Sequence, residues 1–443
     1  MAVGKRRVAV PREQAGAGAP DPVEEVRIHG ISSEGAGVGR LRDGRVVFVH
    51  RTTPGERIRV VLREEKPRWT RGDLVEVLEP GEGRREAPCP LYSRCGGCTL
   101  QHLSYDHQLR WKGRMIQDAL GRIGGVNLDG PPQVEPSVSE FRYRNRVRIH
   151  LRRDGSGGVR AGFFALEDPG QVVDMYQECL LPEAPLSRLW EGLRREWGEG
   201  ASRLPEGKEL RLSLRALGED GILVITGGEG NGSPRELLRR VANLRSIWRR
   251  DEGGGLSLLA GEKEVWEERA GRRVPVGPEA FVQVNRKTAE ALQAQLFRRI
   301  GRPRSLRVVD AYCGIGEVGR RLARHGAWVT GIESQAEAVA LARRDAPSDF
   351  SVLLGTVEER LPEALPADLV LLNPPRAGVR RSVARTLRDS AVPRIIYVSC
   401  DPATLARDLK RMSEVYEVES VEAYDLFPQT SHVETLVVLT RRD

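Results

Sequence analysis

The stretch that decides the fold reads Leu306-Arg307-Val308-Val309-Asp310-Ala311-Tyr312-Cys313-Gly314-Ile315-Gly316-Glu317-Val318-Gly319. Its apolar run predicts a buried strand, and its glycine-rich turn predicts the start of a helix. Strand and helix patterns alternate from there onward, with further strands expected at 328–333, 350–354, 367–372, 394–399 and 433–440. Such alternation indicates an α/β fold, with a mainly parallel sheet covered by helices on both faces.

The Gly-x-Gly-x-x-Gly turn at 314–319 suits a nucleotide-like ligand, because glycines let the ligand approach the backbone closely. Glu333, at the tip of the second strand, is placed to bind two ribose hydroxyls. The pattern fits a nicotinamide dinucleotide as well as S-adenosylmethionine (SAM). Asp310 before the turn, and the Asn373-Pro374-Pro375 turn after the fourth strand, favour SAM and a methyltransferase.

A second informative stretch follows the fifth strand, where the apolar run 395–398 leads through Ser399 to Cys400. Asp401-Pro402 then ends the strand and starts a helix. Because ligands of open α/β sheets bind at the carboxyl ends of the strands, the Cys400 thiol is a candidate nucleophile. Position alone leaves an inert core cysteine equally open.

Residues 1–22 are rich in Arg, Gly, Ala and Pro and are expected to form a disordered basic tail. Residues 23–80 then alternate five short apolar runs with turns, and Asp43-Gly44 is a hairpin signal. Five strands in such a short segment predict a small OB-like barrel. Barrels of this type commonly bind nucleic acid, although a purely structural barrel would show the same pattern.

Three cysteines, Cys89, Cys95 and Cys98, lie on one short segment with two glycines between the last two. Three thiols in this spacing predict a metal site, for which Cys179 is the only spare fourth ligand before the C-terminal domain. The residues alone leave an iron–sulfur cluster and a four-cysteine zinc site open.

The segment 141–149 alternates with period two, so that as one strand it would carry four arginines on a single face. Such a face favours contact with RNA phosphates, and a solvated sheet face is the alternative. These candidate RNA contacts are Arg142, Arg144, Arg146 and Arg148.

The composition agrees with an anionic partner without requiring one. The chain has 443 residues with 70 Lys and Arg against 62 Asp and Glu, a formal charge of +8. No apolar run approaches the length of a membrane span, and the first twenty residues lack the apolar core of a signal peptide. We therefore expect a cytoplasmic protein without membrane contact.

Seven motifs together resemble the TRAM-domain RNA (uracil-C5)-methyltransferases, specifically the iron–sulfur branch that modifies 23S ribosomal RNA. The resemblance runs in the same order over nearly the whole chain from about residue 23. The motifs are Cys89-x5-Cys95-Gly-Gly-Cys98, Tyr143-Arg144-Asn145, Phe281-Val282-Gln283-Val284-Asn285, Asp310-x-x-Cys313-Gly314-x-Gly316, Pro374-x-Arg376-Ala377-Gly378, Ser399-Cys400-x-Pro402-Ala403-Thr404-Leu405-Ala406-Arg407-Asp408 and Asp425-Leu426-Phe427-Pro428-x-Thr430-x-His432-x-Glu434.

The resemblance implies an architecture: a TRAM barrel at 23–80, a β-rich central domain carrying an iron–sulfur site at 81–280, and a Rossmann-like class I SAM methyltransferase domain at 281–443. It implies a monomer acting on 23S rRNA with a flipped-out target base. Cys89, Cys95, Cys98 and Cys179 match the ligands of a [4Fe-4S] cluster.

The resemblance also implies a mechanism and the residues that perform it. The Cys400 thiolate attacks C6 of uracil, the activated C5 takes the methyl group, and Glu434 removes the C5 proton before the cysteine leaves. The positions matching the SAM site are Gln283, Asp310, Gly314, Glu333 and Asn373.

Some positions depart from the family pattern. Asn373 stands where the family usually has Asp beside the target base, and an amide, unlike a carboxylate, can donate a hydrogen bond. A cytosine or tRNA target is therefore a less favoured alternative. Gln429 and Ser431 replace a common His and Gly ahead of the base, which leaves a non-catalytic RNA-binding relative open. A nicotinamide-dependent oxidoreductase is the remaining alternative, but it gives Cys400 and Glu434 no role.

Overall fold

The computed structural model describes residues 23–175, 179–269, 272–278 and 283–442. The predicted basic tail at 1–22 lies outside the described residues, as do 176–178 and the Phe281-Val282 part of one motif. Within those ranges the strands form a closed barrel, a seven-stranded sheet, a two-stranded hairpin and an eight-stranded sheet. No helix in the same ranges is long and apolar enough to cross a membrane.

The N-terminal barrel consists of β1 (Val23–Ile31), β2 (Gly37–Arg40), β3 (Val46–Val49), β4 (Arg57–Glu65) and β5 (Trp69–Glu79). The strands close in the order β1-β2-β3-β5-β4. Val47, Val49 and Ile58 are fully buried inside the barrel, because alternate residues of a strand point to opposite faces. Gly44 adopts a φ of 87° in the predicted turn between β2 and β3. The prediction of a five-stranded barrel is confirmed.

The central domain is β-rich, as predicted. The elements are β7 (Arg146–Arg153), β8 (Val159–Phe164), β9 (Val172–Asp174), α2 (Ala184–Glu196), β10 (Glu209–Leu217), β11 (Asp220–Thr226), α3 (Pro234–Arg240), β12 (Leu244–Arg250), β13 (Leu256–Gly261), β14 (Val265–Arg269) and β15 (Arg272–Val276). The large sheet has the order β13-β12-β11-β10-β7-β8-β9, and α2 and α3 cover one of its faces. β14 and β15 form a separate hairpin.

The C-terminal sheet follows the predicted alternation of strands and helices. The elements are α4 (Arg286–Ile300), β16 (Arg307–Ala311), α5 (Glu317–Arg324), β17 (Trp328–Glu333), α6 (Ala336–Arg343), β18 (Phe350–Leu354), α7 (Val357–Ala364), β19 (Leu369–Leu372), α8 (Arg381–Asp389), β20 (Arg394–Ser399), α9 (Pro402–Met412), β21 (Tyr416–Tyr424) and β22 (Glu434–Arg441). β18, β17, β16, β19 and β20 are parallel in that order, and β22 and β21 continue the sheet with antiparallel pairing.

Both faces of this sheet are covered, as the sequence predicts. Val309 on one face packs in a cluster with residues of α7, α8 and α9, while Val308 on the other packs with residues of α4, α5 and α6. Burying apolar side chains on both faces is what makes the strands of a parallel sheet uniformly hydrophobic. The carboxyl ends of β16, β17, β19 and β20 therefore meet at one open edge.

One segment that we assigned to the central domain contributes to the C-terminal sheet instead. It comprises α1 (Tyr105–Ala119), a following π-helical turn, Leu120–Gly124, and β6 (Val134–Glu135). β6 pairs in parallel with β21, and Ile116 and Leu120 lie in the same apolar cluster as α9. The C-terminal sheet thus includes chain from both sides of the central domain.

The prediction that four arginines share one face of a single strand is wrong. The strand β7 begins only at Arg146, because Arg142 adopts a φ of 56° and turns the chain ahead of it. Arg144 makes isolated backbone bridges to Pro182 and Asn285 rather than extending β7. Of the four arginines, Arg146 and Arg148 lie on β7, where they alternate with buried residues.

Candidate active site

The glycine turn after β16 forms a cradle at the open edge of the sheet. Gly314, with a φ of 57°, donates its backbone N–H to Glu333 Oε2 at 3.1 Å. A Cβ on Gly314 would meet open space, whereas one on Gly316 would lie 2.6 Å from the ring of Phe350. The first glycine thus faces a free volume where a ligand fits, and the second is required for close packing of helix against sheet.

Glu333, the predicted ribose-binding residue, lies at the end of β17 and is hydrogen-bonded to this turn. Besides Gly314, its carboxylate accepts from the backbone N–H of Gln335 at 2.8 Å and from the Ser334 hydroxyl at 3.3 Å. Three hydrogen bonds hold the side chain at the tip of β17, where its remaining lone pairs are available to ribose hydroxyls. The arrangement fits the adenosine part of SAM.

Asp310 lies beneath the turn, 6% exposed, and its Oδ2 atom has no hydrogen-bond partner in the protein. Burial raises the pKa of this carboxyl to about 7, and the backbone N–H of Gly319 opposes that rise. Unpaired buried polar atoms are rare, because each costs free energy. The orphaned oxygen is a second observation that fits a polar ligand in the cradle.

Cys313 belongs to the turn but packs against the sheet. A Cβ on Gly331 would lie 2.7 Å from the Cys313 Sγ, so this thiol fills the space above the neighbouring strand. Burial raises its pKa far above the ordinary range of a thiol. The structure agrees with a packing role for Cys313.

Asn373 follows β19 directly and is exposed at the same edge. The loop beyond it is secured by Asp408, a fully buried carboxylate of α9. Asp408 accepts from the backbone N–H of Val379 at 2.9 Å and from the Tyr397 hydroxyl at 3.0 Å. A side chain on Gly378, at a φ of 73°, would meet Asp408 Oδ2 at 2.2 Å.

Cys400 and Glu434 come together because β22 pairs antiparallel with β20. Ser399 is the register partner of Thr435, so the next position on each strand places Cys400 opposite Glu434. Cys400 is half-buried between the end of β20 and Asp401, whose side chain caps α9 by accepting from Thr404 N at 2.7 Å. The predicted nucleophile and base are therefore neighbours.

Burial raises the pKa values of both Cys400 and Glu434. Desolvation raises the pKa of Glu434 from its ordinary 4.5 to about 7, since the side chain is 4% exposed. The pKa of Cys400 rises to about 11, mainly through burial and also through the negative charge of Glu434. A carboxyl titrating near neutrality is suited to general-base catalysis.

Arg376 is a residue near Cys400 and Glu434 to which the sequence assigned no role. Its positive charge lowers the pKa of both Cys400 and Glu434. Its Nη2 atom lies 3.4 Å from His432 Nε2. Burial and this guanidinium lower the pKa of His432 to about 4, so the imidazole is neutral at pH 7 and can accept from Arg376. The signal was present in the Pro374-x-Arg376 motif after β19.

Gln283 lies at the junction of the central and C-terminal domains. Its backbone carbonyl accepts from Asn145 Nδ2 at 2.9 Å, and the backbone N–H of Asn145 donates to Val284 O at 3.0 Å. Asn285 then caps α4 by accepting from Thr288 N. The two quoted motifs around Asn145 and Asn285 therefore hold each other.

The four predicted cysteine ligands line one small apolar cavity together with Phe163. Burial raises the pKa of Cys98 to about 12 and that of Cys179 to about 11, and the nearby charge of Arg144 lowers both. Among the described residues, no three His, Cys, Asp or Glu side chains form a group that could hold a single metal ion. The structure thus gathers the four thiols around one cavity.

The four candidate arginines have separate surroundings. Arg142 donates to the Ser187 hydroxyl at 3.1 Å, and Arg144 donates to the Tyr143 hydroxyl at 3.3 Å beside the cysteine cavity. Arg146 donates to the Ser213 hydroxyl, and Arg148 is exposed on β7. The structure does not assemble them into one patch.

Sheet order, glycine cradle and open strand tips define a class I SAM-dependent methyltransferase fold. The chain matches the family described as tRNA (Uracil-5-)-methyltransferase over residues 362–442 and the TRAM domain over 22–75. It is 31% identical to an uncharacterized RNA methyltransferase of Halalkalibacterium halodurans, covering 94% of this chain and 96% of that protein. An uncharacterized RNA methyltransferase of Thermosynechococcus vestitus is 34% identical, covering 94% and 97%.

A solved structure agrees with these relatives. The tRNA (uracil-54, C5)-methyltransferase of Pyrococcus abyssi, in complex with S-adenosyl-L-homocysteine, is 25% identical, with a TM-score of 0.73 and coverage of 94% of this chain and 99% of that one. The chain belongs to the RNA uracil-C5 methyltransferase family and is a SAM-dependent RNA methyltransferase. These findings contradict the alternative of a nicotinamide-dependent oxidoreductase.

The raised pKa of Glu434 predicts how its replacement changes stability with pH. The folded state holds this proton more tightly than the unfolded state, so stability declines as pH rises from about 4.5 to 7. Glu434→Gln removes the buried charge and is expected to raise the free energy of unfolding at pH 8 by about 3 kcal/mol. At pH 4.5 the gain should be close to zero.

Urea unfolding at the two pH values measures this difference. Glu417→Gln, at an exposed carboxylate of β21 in the same sheet, is the matched control and should change little at either pH. A gain for Glu434→Gln that is equal at both pH values would contradict the assigned burial of the charge.

Proposed function

We propose that this enzyme methylates C5 of a uridine in 23S rRNA, acting as a single chain through a covalent adduct of Cys400. The adjacency of Cys400 and Glu434, beside a cradle that fits SAM, is the observation that carries the proposed reaction, and the resemblance of the cysteine motif to the 23S rRNA branch supports the proposed RNA. A nucleophile and a base at one strand edge are what substitution at a vinylic carbon requires: one group to activate the ring and another to remove the proton.

The chain's own residues account for each bond change. The Cys400 thiol releases its proton to solvent, and the sulfur bonds to C6 of the uracil, which places negative charge on C5 and O4. When bound, SAM would supply an electrophilic methyl carbon to C5, with its methyl–sulfur bond broken and S-adenosyl-L-homocysteine as the leaving group. Glu434 then takes the C5 proton, the electron pair forms the C5–C6 double bond, and the C6–sulfur bond breaks to restore the thiolate.

Arg376 favours both the first and the last step of this reaction. Its charge lowers the pKa of Cys400, which favours the attacking thiolate, and lowers that of Glu434, which keeps the carboxylate ionised for proton removal. With the Cys400 pKa at about 11, only a small fraction is thiolate at neutral pH. The rate should therefore increase with pH, as both Glu434 and Cys400 lose protons.

Substitution of each of the two reacting residues tests the mechanism. Cys400→Ala is expected to abolish methyl transfer while leaving SAM affinity unchanged, because the thiol forms the bond to C6. Glu434→Gln should trap RNA on Cys400, since the proton that must leave C5 has no acceptor. Transfer of labelled methyl groups, and denaturing gels for the covalent complex, measure the two effects.

The same assay identifies the target. Deproteinised 23S rRNA and tRNA are compared as methyl acceptors, and mass spectrometry locates the modified base. If Cys400→Ala transfers methyl groups at the rate of the unaltered enzyme, the proposed mechanism is wrong. If only tRNA accepts the labelled methyl group, the substrate is tRNA and not 23S rRNA. If the unaltered enzyme transfers no methyl group to either RNA, a non-catalytic RNA-binding protein is favoured.

Asn373 bears on which base is accepted, since it is exposed at the tip of β19 beside the active edge. An amide can accept from uracil N3–H or donate to the unprotonated N3 of cytosine. We keep uracil as the proposed base, because the family carries that specificity. An RNA in which the mapped uridine is replaced by cytidine distinguishes the two.

For the four cysteines we propose a [4Fe-4S] cluster. Thiols must lose their protons to bind metal, and the buried, apolar cavity disfavours free thiolates, as the raised pKa values of Cys98 and Cys179 indicate. Arg144 supplies a compensating positive charge nearby. The group would be held by Cys89, Cys95, Cys98 and Cys179, and it would supply a structural link between the segment 89–98 and Cys179.

Metal analysis tests this assignment. Protein purified without oxygen is expected to contain about four iron and four sulfide per chain, and Cys179→Ala should lose most of both. Cys313→Ala, at the cysteine that packs against Gly331, is the matched control and should retain them. A colourless protein with one zinc per chain would refute the cluster and leave the four-cysteine site.

The barrel offers a surface on which an unpaired RNA base could stack. On its outside, Phe48 and Trp69 form an edge-to-face pair with ring centres 6.2 Å apart, and Arg71 lies over Trp69 at 5.7 Å. Arg71 also approaches Glu34. The neighbouring residue, Ser33, accepts a hydrogen bond from the hydroxyl of Ser431, which is three residues before Glu434 in the sequence. Aromatic and arginine side chains in this arrangement are typical of single-strand binding.

Trp69→Ala is therefore expected to weaken RNA binding by about 1–3 kcal/mol, the range for losing one stacked base. Trp328→Ala is the matched control, because Trp328 is 55% exposed at the opposite, N-terminal end of its strand. Fluorescence anisotropy with a labelled RNA fragment measures both. Equal RNA affinities of Trp69→Ala and the unaltered protein would show that this face of the barrel does not bind the RNA.

A further inference from the structure

The loop between β21 and β22, residues 425–433 and here named the base loop, ends at the catalytic carboxylate Glu434. Its two flanking residues, Tyr424 and Glu434, are register partners, so the loop closes on the base itself. At its centre Gln429 is fully buried and has a φ of 69°. A buried amide in a left-handed conformation is costly unless hydrogen bonds hold it there.

The Gln429 side chain is hydrogen-bonded to three partners. Its Oε1 accepts from Gln108 Nε2 of α1 at 3.0 Å and from Arg85 Nη2 at 3.2 Å, and its Nε2 donates to Glu140 Oε2 at 3.1 Å. These partners belong to three separate parts of the chain. The amide therefore joins them at one buried point.

The Gln429 backbone makes a second set of bonds. Its carbonyl accepts from the backbone N–H groups of Thr99 and Leu100, both at 3.0 Å, directly after the ligand candidate Cys98. Its own N–H donates to Gln108 Oε1 at 3.1 Å. Gln429 thus connects the base loop to the chain that directly follows the cysteine segment, residues 89–98.

The neighbouring positions of the base loop are held as well. Lys112 of α1 forms a fully buried ion pair with Asp425 at 2.6 Å, and the Tyr143 hydroxyl donates to Pro428 O at 3.0 Å. On the barrel side, the Ser431 hydroxyl donates to Ser33 O at 2.6 Å. The barrel, the cysteine segment, α1 and the central domain all contact the loop that carries the base.

We propose that Gln429 is a positioning residue for the proton-removal step. None of its hydrogen bonds described above goes to Cys400 or Glu434, and it acts by holding Glu434 at the correct distance from Cys400 when the other parts of the chain are docked. This inference rests on the proposed function. The step it serves is the last one, in which Glu434 takes the C5 proton and the C6–sulfur bond breaks.

Gln429→Ala is expected to lower kcat for methyl transfer by about 10- to 100-fold, as displacement of a catalytic group typically does. SAM affinity should stay within about twofold, because the cradle is on other strands. The methylated RNA–Cys400 adduct should accumulate, since its breakdown is the slowed step. A purely structural role would reduce the folded fraction without changing the adduct level per folded enzyme.

Two further variants separate side chain from backbone. Gln429→Gly adopts a positive φ without strain and keeps the backbone bonds to Thr99 and Leu100, so its loss of kcat should be smaller than that of Gln429→Ala. The exchange Gln429→Glu with Glu140→Gln reverses donor and acceptor across the same hydrogen bond. It should restore kcat over Gln429→Glu alone, in which two carboxylates face each other.

The matched control is Ser246→Ala, which removes a buried hydrogen bond of 2.9 Å from Trp248 in the central sheet. It should lower stability and leave kcat and adduct level unchanged. Wild-type kcat and adduct level in Gln429→Ala would overturn the inference while the function stands. Absence of methyl transfer by the unaltered enzyme would instead overturn the proposed function.

Discussion

The antiparallel pairing of β22 with β20 is the constraint on which the active site depends. A parallel strand in that position would place its first residue at the far end of the sheet, away from the glycine cradle. Because β22 runs in the opposite direction, its first residue, Glu434, meets Cys400 just beyond the last residue of β20. Nucleophile, base and cofactor cradle therefore share one edge, and burial at that edge sets the pKa of Glu434 near neutrality.

Much of this edge could be predicted from local sequence. Apolar runs followed by Asp310, Glu333, Asn373 and Cys400 are strand tips, and parallel strands bring their tips together. The structure places all four at the ends of β16, β17, β19 and β20. The barrel was equally readable, because alternation and a hairpin turn are short-range signals. Glu434 was identified through family resemblance, since nothing local distinguishes it from a surface carboxylate.

What the sequence did not reveal depends on contacts between distant residues. The sequence does not indicate β21, because its apolar alternation changes phase at a register shift between Val418 and Ser420, and its partners are β22 and the short β6. A strand carrying four arginines was expected, but Arg142 adopts a φ of 56°, a conformation that side-chain patterns do not report. The positioning of Gln429 by Gln108, Arg85 and Glu140 likewise follows only from the folded arrangement.

The ion pair between Lys112 and Asp425 has a consequence for the order in which the enzyme can be assembled during translation. The two residues are 313 positions apart, and both side chains are fully buried. When α1 leaves the ribosome, its lysine has no carboxylate to pair with, and an unpaired ammonium is costly to bury. The helix must stay undocked until nearly the whole chain has been made.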